Sequence, residues 1–144
     1  MAITFHPKPG QLLLCDFSTG FKEPEMVKAK RPVIVLSGDF KGRTKLVTVV
    51  PLSTKEPDTV KDYHYCIPKK SMLMLDRFQC QNSWVKGDML YTLGFHRLDL
   101  IRLGTKDPNG KRRYYTRKLG KEQMKLVYAC VLSGLNLKNL ANHL

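Results

Sequence analysis

The chain has 144 residues, of which 42% are hydrophobic and 26% are charged. This composition is typical of one globular domain spanning residues 1–144 and excludes a disordered chain. The 25 Lys and Arg residues exceed the 12 Asp and Glu residues by +13, so a polyanion would gain affinity by counterion release. The charge alone does not indicate whether the partner is an anionic membrane surface, duplex DNA or single-stranded RNA.

Five strands are predicted before residue 94. Apolar or β-branched runs bounded by Pro and Gly turn residues indicate them. The hairpin-like link at residues 38–45 joins the second strand to the third. The predicted strands are Gln11–Phe17, Arg31–Ser37, Leu46–Leu52, Asp62–Ile67 and Trp84–Leu93.

A basic segment follows at about residues 100–118, centred on the turn sequence Asp-Pro-Asn-Gly, and is predicted to be a hairpin insertion. From Arg102 to Lys125 there are nine basic and two acidic residues, a net charge of +7. Tyr114 and Tyr115 lie within this segment, and aromatic rings among basic residues can stack on unpaired bases. A solvated basic hairpin fits the sequence equally well.

A helix is predicted from Lys121, because apolar residues recur at three-and-four spacing from Met124 to Leu132. Gly120 precedes this helix, and Gly134 is the expected C-cap. Short strands followed by one helix predict a mainly β (α+β) fold, a small barrel or half-barrel closed by the helix.

The sequence contains no apolar run of roughly 18 residues and nothing resembling a signal peptide, so a cytoplasmic protein is expected. The four cysteines lack metal-ligand spacing, and neither a metal nor a cofactor is predicted. They are Cys15, Cys66, Cys80 and Cys130.

Candidate site residues lie at strand ends. Arg31 precedes Pro32 and can bind phosphate with its guanidinium fork, although a surface ion pair would also explain it. Ser53 and Thr54 follow the third strand, where hydroxyls either contact phosphate or cap the turn.

Lys86 and Asp88 are two residues apart on a predicted strand, so their side chains are expected on the same face. A plain surface ion pair is the alternative interpretation.

The segments PGQLLLCDF, PEMVKAKRPVIVLSGDF and LVTVVPLSTKEP resemble the start of PemK/MazF-family toxins. The resemblance covers roughly Pro7 to Pro57 and continues weakly through VKGDMLYTL. It implies a homodimeric SH3-like barrel that cleaves single-stranded RNA, including mRNA, without a metal. Attack by the 2′-hydroxyl would leave a 2′,3′-cyclic phosphate and a 5′-hydroxyl, and a cognate antitoxin would block the RNA groove.

The resemblance matches Arg31 to the family's catalytic arginine, and Ser53 with Thr54 to its phosphate-contacting hydroxyl pair. Lys86 and Asp88 match a basic and an acidic position used by some members.

The family's loop glutamate often lies five residues before the arginine. Glu25 lies six before Arg31, so a one-residue insertion would be needed to equate the two glutamates.

For the chemistry, Arg31 suits charge stabilisation, and Asp88 or His96 suits proton transfer, with His64 ranked below His96. Further RNA contacts are predicted at several basic or polar residues, namely Lys30, Lys86, Glu25, His96, Arg112 and Arg113.

Two other functions stay open. One is a gyrase-inhibiting toxin on the same fold, acting through its C-terminal helix, and the other is a nucleic-acid-binding module without catalysis.

Overall fold

The structure, a computed structural model of the chain, describes residues 2–68 and 82–144. Within these ranges it contains nine strands, one α-helix and two 3-10 turns, Phe95–Arg97 and Lys138–His143. The strands are β1 (Leu12–Cys15), β2 (Arg31–Val35), β3 (Leu46–Ser53), β4 (His64–Ile67), β5 (Ser83–Lys86), β6 (Tyr91–Gly94), β7 (Leu98–Asp99), β8 (Arg102–Lys106) and β9 (Arg112–Tyr114), and the helix is α1 (Lys121–Gly134). The predicted mainly β fold with a C-terminal helix is confirmed.

Seven strands form one antiparallel sheet in the order β4-β5-β3-β2-β1-β7, with β6 also paired to β3. The first half of β3 pairs with β6 and its last two residues pair with β5. Pro51 lies between these two groups, where its missing N–H interrupts neither ladder. In the part of the chain that the structure describes, no further ladder closes this path into a ring.

Alternating residues send apolar side chains to both faces of the sheet. Leu12, Ile34 and Val50 are neighbours across three strands and belong to a core that also contains Val127 of α1. Leu13 and Val33 point to the opposite face, into a second buried cluster. A sheet that is buried on both faces explains why these strands are almost continuously apolar.

The helix α1 buries Met124, Val127 and Val131, as the spacing predicts. The prediction of Gly134 as the C-cap is wrong, because Gly134 is the last residue of the helix itself. The residue in the left-handed conformation, which usually follows a helix end, is Asn136, with φ 62°. Gly134 serves a packing purpose instead. A Cβ atom at this position would lie 2.3 Å from the backbone oxygen of Gly87, so the helix approaches the turn after β5 more closely than any side chain allows.

The prediction of one strand from Trp84 to Leu93 is also wrong, because the chain turns between β5 and β6. The Gly87 N–H donates to the Tyr63 carbonyl at 2.8 Å, which fixes the start of the turn. A Cβ atom on Gly87 would lie 2.4 Å from the Cys130 carbonyl oxygen. Glycine is therefore required where this turn packs against α1.

The strands β8 and β9 form a separate two-stranded sheet, here called the arm. Its turn is held by Asp107, whose Oδ1 accepts the N–H groups of Asn109 and Lys111, each at 2.9 Å. Tyr115 and Ile101 are buried at the base of the arm, whereas most residues of its strands are exposed. The arm is thus anchored in the core and projects its charged side chains into solvent.

Two cysteines are deeply buried. Burial raises the pKa of the Cys15 thiol to about 12 and that of the Cys130 thiol to about 11. Cys66 is partly buried, and Cys80 lies outside the described residues. In residues 2–68 and 82–144, none of the helices is long and apolar enough to cross a membrane.

Candidate active site

Arg31 and Ser53 meet where β2 begins and β3 ends. Val33 is paired with Pro51, and continuing this register by two residues brings Arg31 opposite Ser53. The Arg31 Nη1 donates to the Leu52 carbonyl at 3.3 Å, which holds the guanidinium at this end of the strand.

The Arg31 guanidinium is half-buried and retains unused donor capacity. Its Nε is buried and has no hydrogen-bond partner among the described residues. No carboxylate in residues 2–68 or 82–144 lies within ion-pair distance of it. Burial lowers the pKa of the guanidinium from its ordinary value, but arginine starts far above neutrality and remains charged. A half-buried cation that has no ion-pair partner among the described residues, and a free donor, is suited to binding an anion.

Ser53 is 8% exposed, and its Oγ accepts the Lys55 N–H at 3.2 Å. This bond uses a lone pair and leaves the hydroxyl proton available to a ligand. Ser53 therefore caps the turn and faces the site at the same time. Thr54 is exposed directly after it and does not line the neighbouring cleft.

A cleft of about 590 Å³ opens beside these two residues. The loop of residues 23–28 lines it, as does Lys86 at the end of β5. The Met26 N–H donates to the Tyr91 hydroxyl at 3.0 Å, which fastens this loop to β6. Glu25 lines the cleft, but its Oε1 accepts the Lys22 N–H at 3.0 Å and so is engaged within the loop.

Lys86 also lines a second cleft, of about 290 Å³, together with His64. These two residues lie directly opposite each other on β5 and β4. Asp88 is in the turn after β5, so the prediction that Lys86 and Asp88 share one face of a strand is wrong, since the strand ends at Lys86. Asp88 instead acts electrostatically on His64. Burial lowers the pKa of His64, and the negative charge of Asp88 opposes this larger effect without reversing it.

The structure places the other predicted residues elsewhere. His96 and Lys30 line a different cleft of about 390 Å³ along β1 and β7, together with Arg97 and Arg102. Arg112 and Arg113 are exposed on β9 of the arm. Of the ten residues predicted from the sequence, four line the cleft beside Arg31, here called the Arg31 cleft. They are Arg31, Ser53, Lys86 and Glu25.

Sequence reasoning ranked His64 below His96, yet His64 is the histidine beside Lys86. Its position beside Lys86 depends on the pairing of β4 with β5. These two strands are too far apart in the sequence for the short turn of a hairpin, so the sequence does not indicate that they pair. The alternation over Asp62–Ile67 predicts a strand there, but it does not indicate which strand lies alongside.

Comparisons with known proteins find relatives over most of the chain. A family model described as PemK-like, MazF-like toxin of type II toxin-antitoxin system matches residues 8–133. The uncharacterized protein YifN of Escherichia coli (strain K12) is 31% identical over 159 residues, covering 99% of this chain and 100% of YifN.

Solved structures of similar fold include an endoribonuclease from Mycobacterial species in complex with its cognate antitoxin. It is 18% identical with a TM-score of 0.59, covering 91% of this chain and 96% of its own. MazF from Deinococcus radiodurans is 15% identical with a TM-score of 0.61, covering 92% of this chain and 99% of its own. At these identities the two structures establish a shared fold.

Proposed function

The chain belongs to the PemK-like, MazF-like toxin family of type II toxin-antitoxin systems, and from this premise we propose that it is a toxin that cleaves single-stranded RNA. One observation carries the proposal. The half-buried guanidinium of Arg31, without a carboxylate within ion-pair distance among the described residues, lines one cleft together with Ser53 and Lys86. Three cationic residues line this cleft, Lys28, Arg31 and Lys86, against the two glutamates Glu23 and Glu25. This excess of positive charge and a hydroxyl donor suit a phosphodiester.

In the proposed reaction, the ribose 2′-hydroxyl attacks the adjacent phosphorus and the bond to the 5′-oxygen of the next nucleotide breaks. The products are a 2′,3′-cyclic phosphate and a 5′-hydroxyl. The attacking 2′-oxygen loses a proton and the leaving 5′-oxygen gains one, so the step balances. Arg31 stabilises the extra negative charge on the phosphorane, and the Ser53 hydroxyl donates to a non-bridging oxygen. Thr54, exposed directly after Ser53, contacts the RNA backbone outside the cleft.

Because Arg31 and Lys86 supply positive charge, the proposed reaction requires no divalent cation. Asp88 is our candidate for accepting the 2′-hydroxyl proton, since it follows Lys86 closely and acts electrostatically on the same strand pair. His96 lines the cleft along β1 and β7, so we assign it and Lys30 to RNA contacts beyond the reacting phosphate.

The test is cleavage of a long single-stranded RNA by the purified protein in the presence of EDTA, with analysis of the fragment ends. We expect specific fragments with cyclic phosphate and 5′-hydroxyl ends. Arg31→Ala should abolish cleavage, whereas Lys41→Ala, an exposed lysine in the link between β2 and β3, should cleave normally. Intact RNA with the unmodified protein, or full activity of Arg31→Ala, would contradict the proposal.

We further propose an antitoxin protein and a second copy of the chain as partners. The similar mycobacterial endoribonuclease is bound to its cognate antitoxin, and a protein covering the Arg31 cleft would block RNA entry. Sedimentation should give twice the mass of one chain. Co-expression with the antitoxin should suppress RNA cleavage in proportion to complex formation.

A gyrase-inhibiting toxin is the second candidate, and one observation favours it. Four leucines near the C-terminus are exposed, as expected of a surface that binds another protein. They are Leu135, Leu137, Leu140 and Leu144. Inhibition of DNA supercoiling by a protein that leaves RNA intact would support this candidate over the nuclease.

A further inference from the structure

The second cleft adjoins the Arg31 cleft and shares Lys86 with it. Its walls are the segment that follows β3 and the exposed side of the β4–β5 pair. The two clefts therefore adjoin at Lys86, which lines the first cleft with Arg31 and the second with its cross-strand neighbour His64. The residues lining the second cleft are Lys55, Glu56, Pro57, Asp58, Thr59, His64 and Lys86.

The ring of His64 is held in one orientation. Its Nδ1 accepts the Lys61 N–H at 3.0 Å, and the Tyr63 ring packs against it edge to face, with 4.6 Å between centroids. Since Nδ1 is an acceptor, the proton of the neutral imidazole is on Nε2. His64 therefore presents a fixed N–H donor and does not need to change its protonation state.

The charged groups around His64 preserve this state at neutral pH. Burial lowers the pKa of the imidazole, Lys86 and Lys61 lower it further, and Asp88 opposes them. A positively charged ring would also carry a proton on Nδ1, directed at the Lys61 N–H. Geometry and charge thus agree that His64 is a neutral donor.

The chemistry of this cleft differs from that of the Arg31 cleft. It offers the donors His64 Nε2–H, Lys55 and Lys86 together with the carboxylates of Glu56 and Asp58. Here the two lysines are balanced by two carboxylates, and no arginine is among the described residues that line the cleft, so a phosphate would lack a guanidinium fork. A mixed set of donors and acceptors instead matches the edge of a nucleobase. A volume of about 290 Å³ is at the lower end for small-molecule sites, which suits a group as small as one base.

We propose that the second cleft binds the nucleobase next to the scissile phosphate, and that His64 helps to determine which base is accepted there. This inference rests on the proposed function. It adds that sequence preference at one position comes from the cleft beside the β4–β5 pair, separately from the Arg31 centre. Hydrogen bonding to a base edge gives strong discrimination, because a wrong base leaves the polar groups of the site unpaired.

The test compares His64→Phe and His64→Gln with the unmodified protein on an RNA of mixed sequence, mapping every cleavage site. Phenylalanine keeps a ring but removes the donor, whereas glutamine keeps an N–H near the position of Nε2. We expect His64→Phe to lose about tenfold of the base preference at one position adjacent to the cut and to retain the preference elsewhere. His64→Gln should keep most of it.

His143→Phe, at the exposed C-terminal turn, is the matched control and should leave all preferences unchanged. A second measurement uses short RNAs with a 2′-deoxy nucleotide at the cut and each of the four bases beside it. Their dissociation constants should differ for the unmodified protein, and the difference should be about tenfold smaller for His64→Phe. If a folded His64→Phe variant cleaves with an unchanged preference at every position, the base-binding role is wrong while the nuclease proposal stands. If the unmodified protein does not cleave RNA at all, both proposals fail.

Discussion

At the scale of single residues, the position of Arg31 explains why its charge is available. Arg31 is the first residue of β2, and Pro32, the next residue in the chain, keeps its backbone extended. One guanidinium nitrogen is used to hold the side chain against Leu52, which leaves the others for a ligand. A lysine at this position would keep the charge, but it could not hold the side chain against the Leu52 carbonyl and also offer a two-pronged donor to a phosphate.

We therefore expect Arg31→Lys to lower the single-turnover rate of RNA cleavage by roughly 10²–10³-fold, the usual effect of losing an oriented donor to a developing charge. Lys41→Arg, a matched exchange in the other direction on an exposed loop residue, should have no effect. A rate within twofold of the unmodified protein for Arg31→Lys would show that charge alone suffices.

The buried thiols lead to a second residue-scale prediction. The pKa is raised to about 12 for Cys15 and about 11 for Cys130 by burial, so both remain protonated at pH 7–8, where the reactive thiolate is absent. Iodoacetamide at pH 7.5 should label neither cysteine in the folded protein and both in denaturant, as measured by mass spectrometry. Rapid labelling of Cys15 in the folded state would show that its surroundings are open to solvent.

At the scale of elements, α1 and the turn after β5 are joined through two glycines. Gly87 and Gly134 face each other without side chains, and this contact fixes the turn that carries Asp88. The periodicity of the sequence is sufficient to predict α1, because a buried helical face repeats every three or four residues. It cannot show that Gly134 is needed by a neighbour 47 positions earlier in the chain.

A substitution at this contact separates two opposing effects. Helix propensity alone would make Gly134→Ala stabilising by about 1 kcal/mol, whereas the close backbone contact should make it destabilising by about 1–3 kcal/mol. We expect the contact to dominate in urea unfolding. Gly120→Ala, at the N-cap of the same helix, where a Cβ atom meets nothing, should destabilise by less, about 0.5–1 kcal/mol, because alanine is a poorer N-cap than glycine. A stabilised Gly134→Ala variant would contradict the observed packing.

The same distinction explains which parts of the site could be predicted. Arg31 and Ser53 are recognisable because each directly adjoins a β-branched run, and antiparallel pairing of consecutive strands brings them together. The turn at Gly87 was missed because the apolar residues on both sides of it resemble one continuous strand. His64 was undervalued because its neighbour Lys86 comes from a strand that only the folded sheet identifies.

At the scale of the whole molecule, the net charge of +13 is unevenly distributed. The arm carries exposed basic residues at Arg112 and Arg113, and among the residues that the structure describes no carboxylate forms an ion pair with them. The arm is anchored by Tyr115, which is 3% exposed, so these charges are presented on a fixed support. We propose that they contact the RNA backbone away from the cut.

The double variant Arg112→Gln and Arg113→Gln should bind single-stranded RNA more weakly, with a shallower dependence on salt. Each lost phosphate contact reduces the slope of log K against log salt by about 0.7, so a change of about 1.4 is expected. The cleavage sites should stay the same. A control with Lys8→Gln and Lys41→Gln removes the same charge from other exposed positions. An equal loss of slope in both double variants would mean that the arm has no special role.

The change of partner along β3 at Pro51 has a mechanical consequence for the two clefts. The β2 and β6 ladders with β3 are longer than the two-residue ladder that attaches β5. Arg31 is held in the β1–β2 ladder, whereas among the described residues β5, with Lys86 and its neighbour His64, is attached to β3 only through Leu52 and Ser53. An RNA strand lying across both clefts would link these two parts of the sheet, so amide hydrogen exchange in β4 and β5 should slow on binding more than exchange in β2.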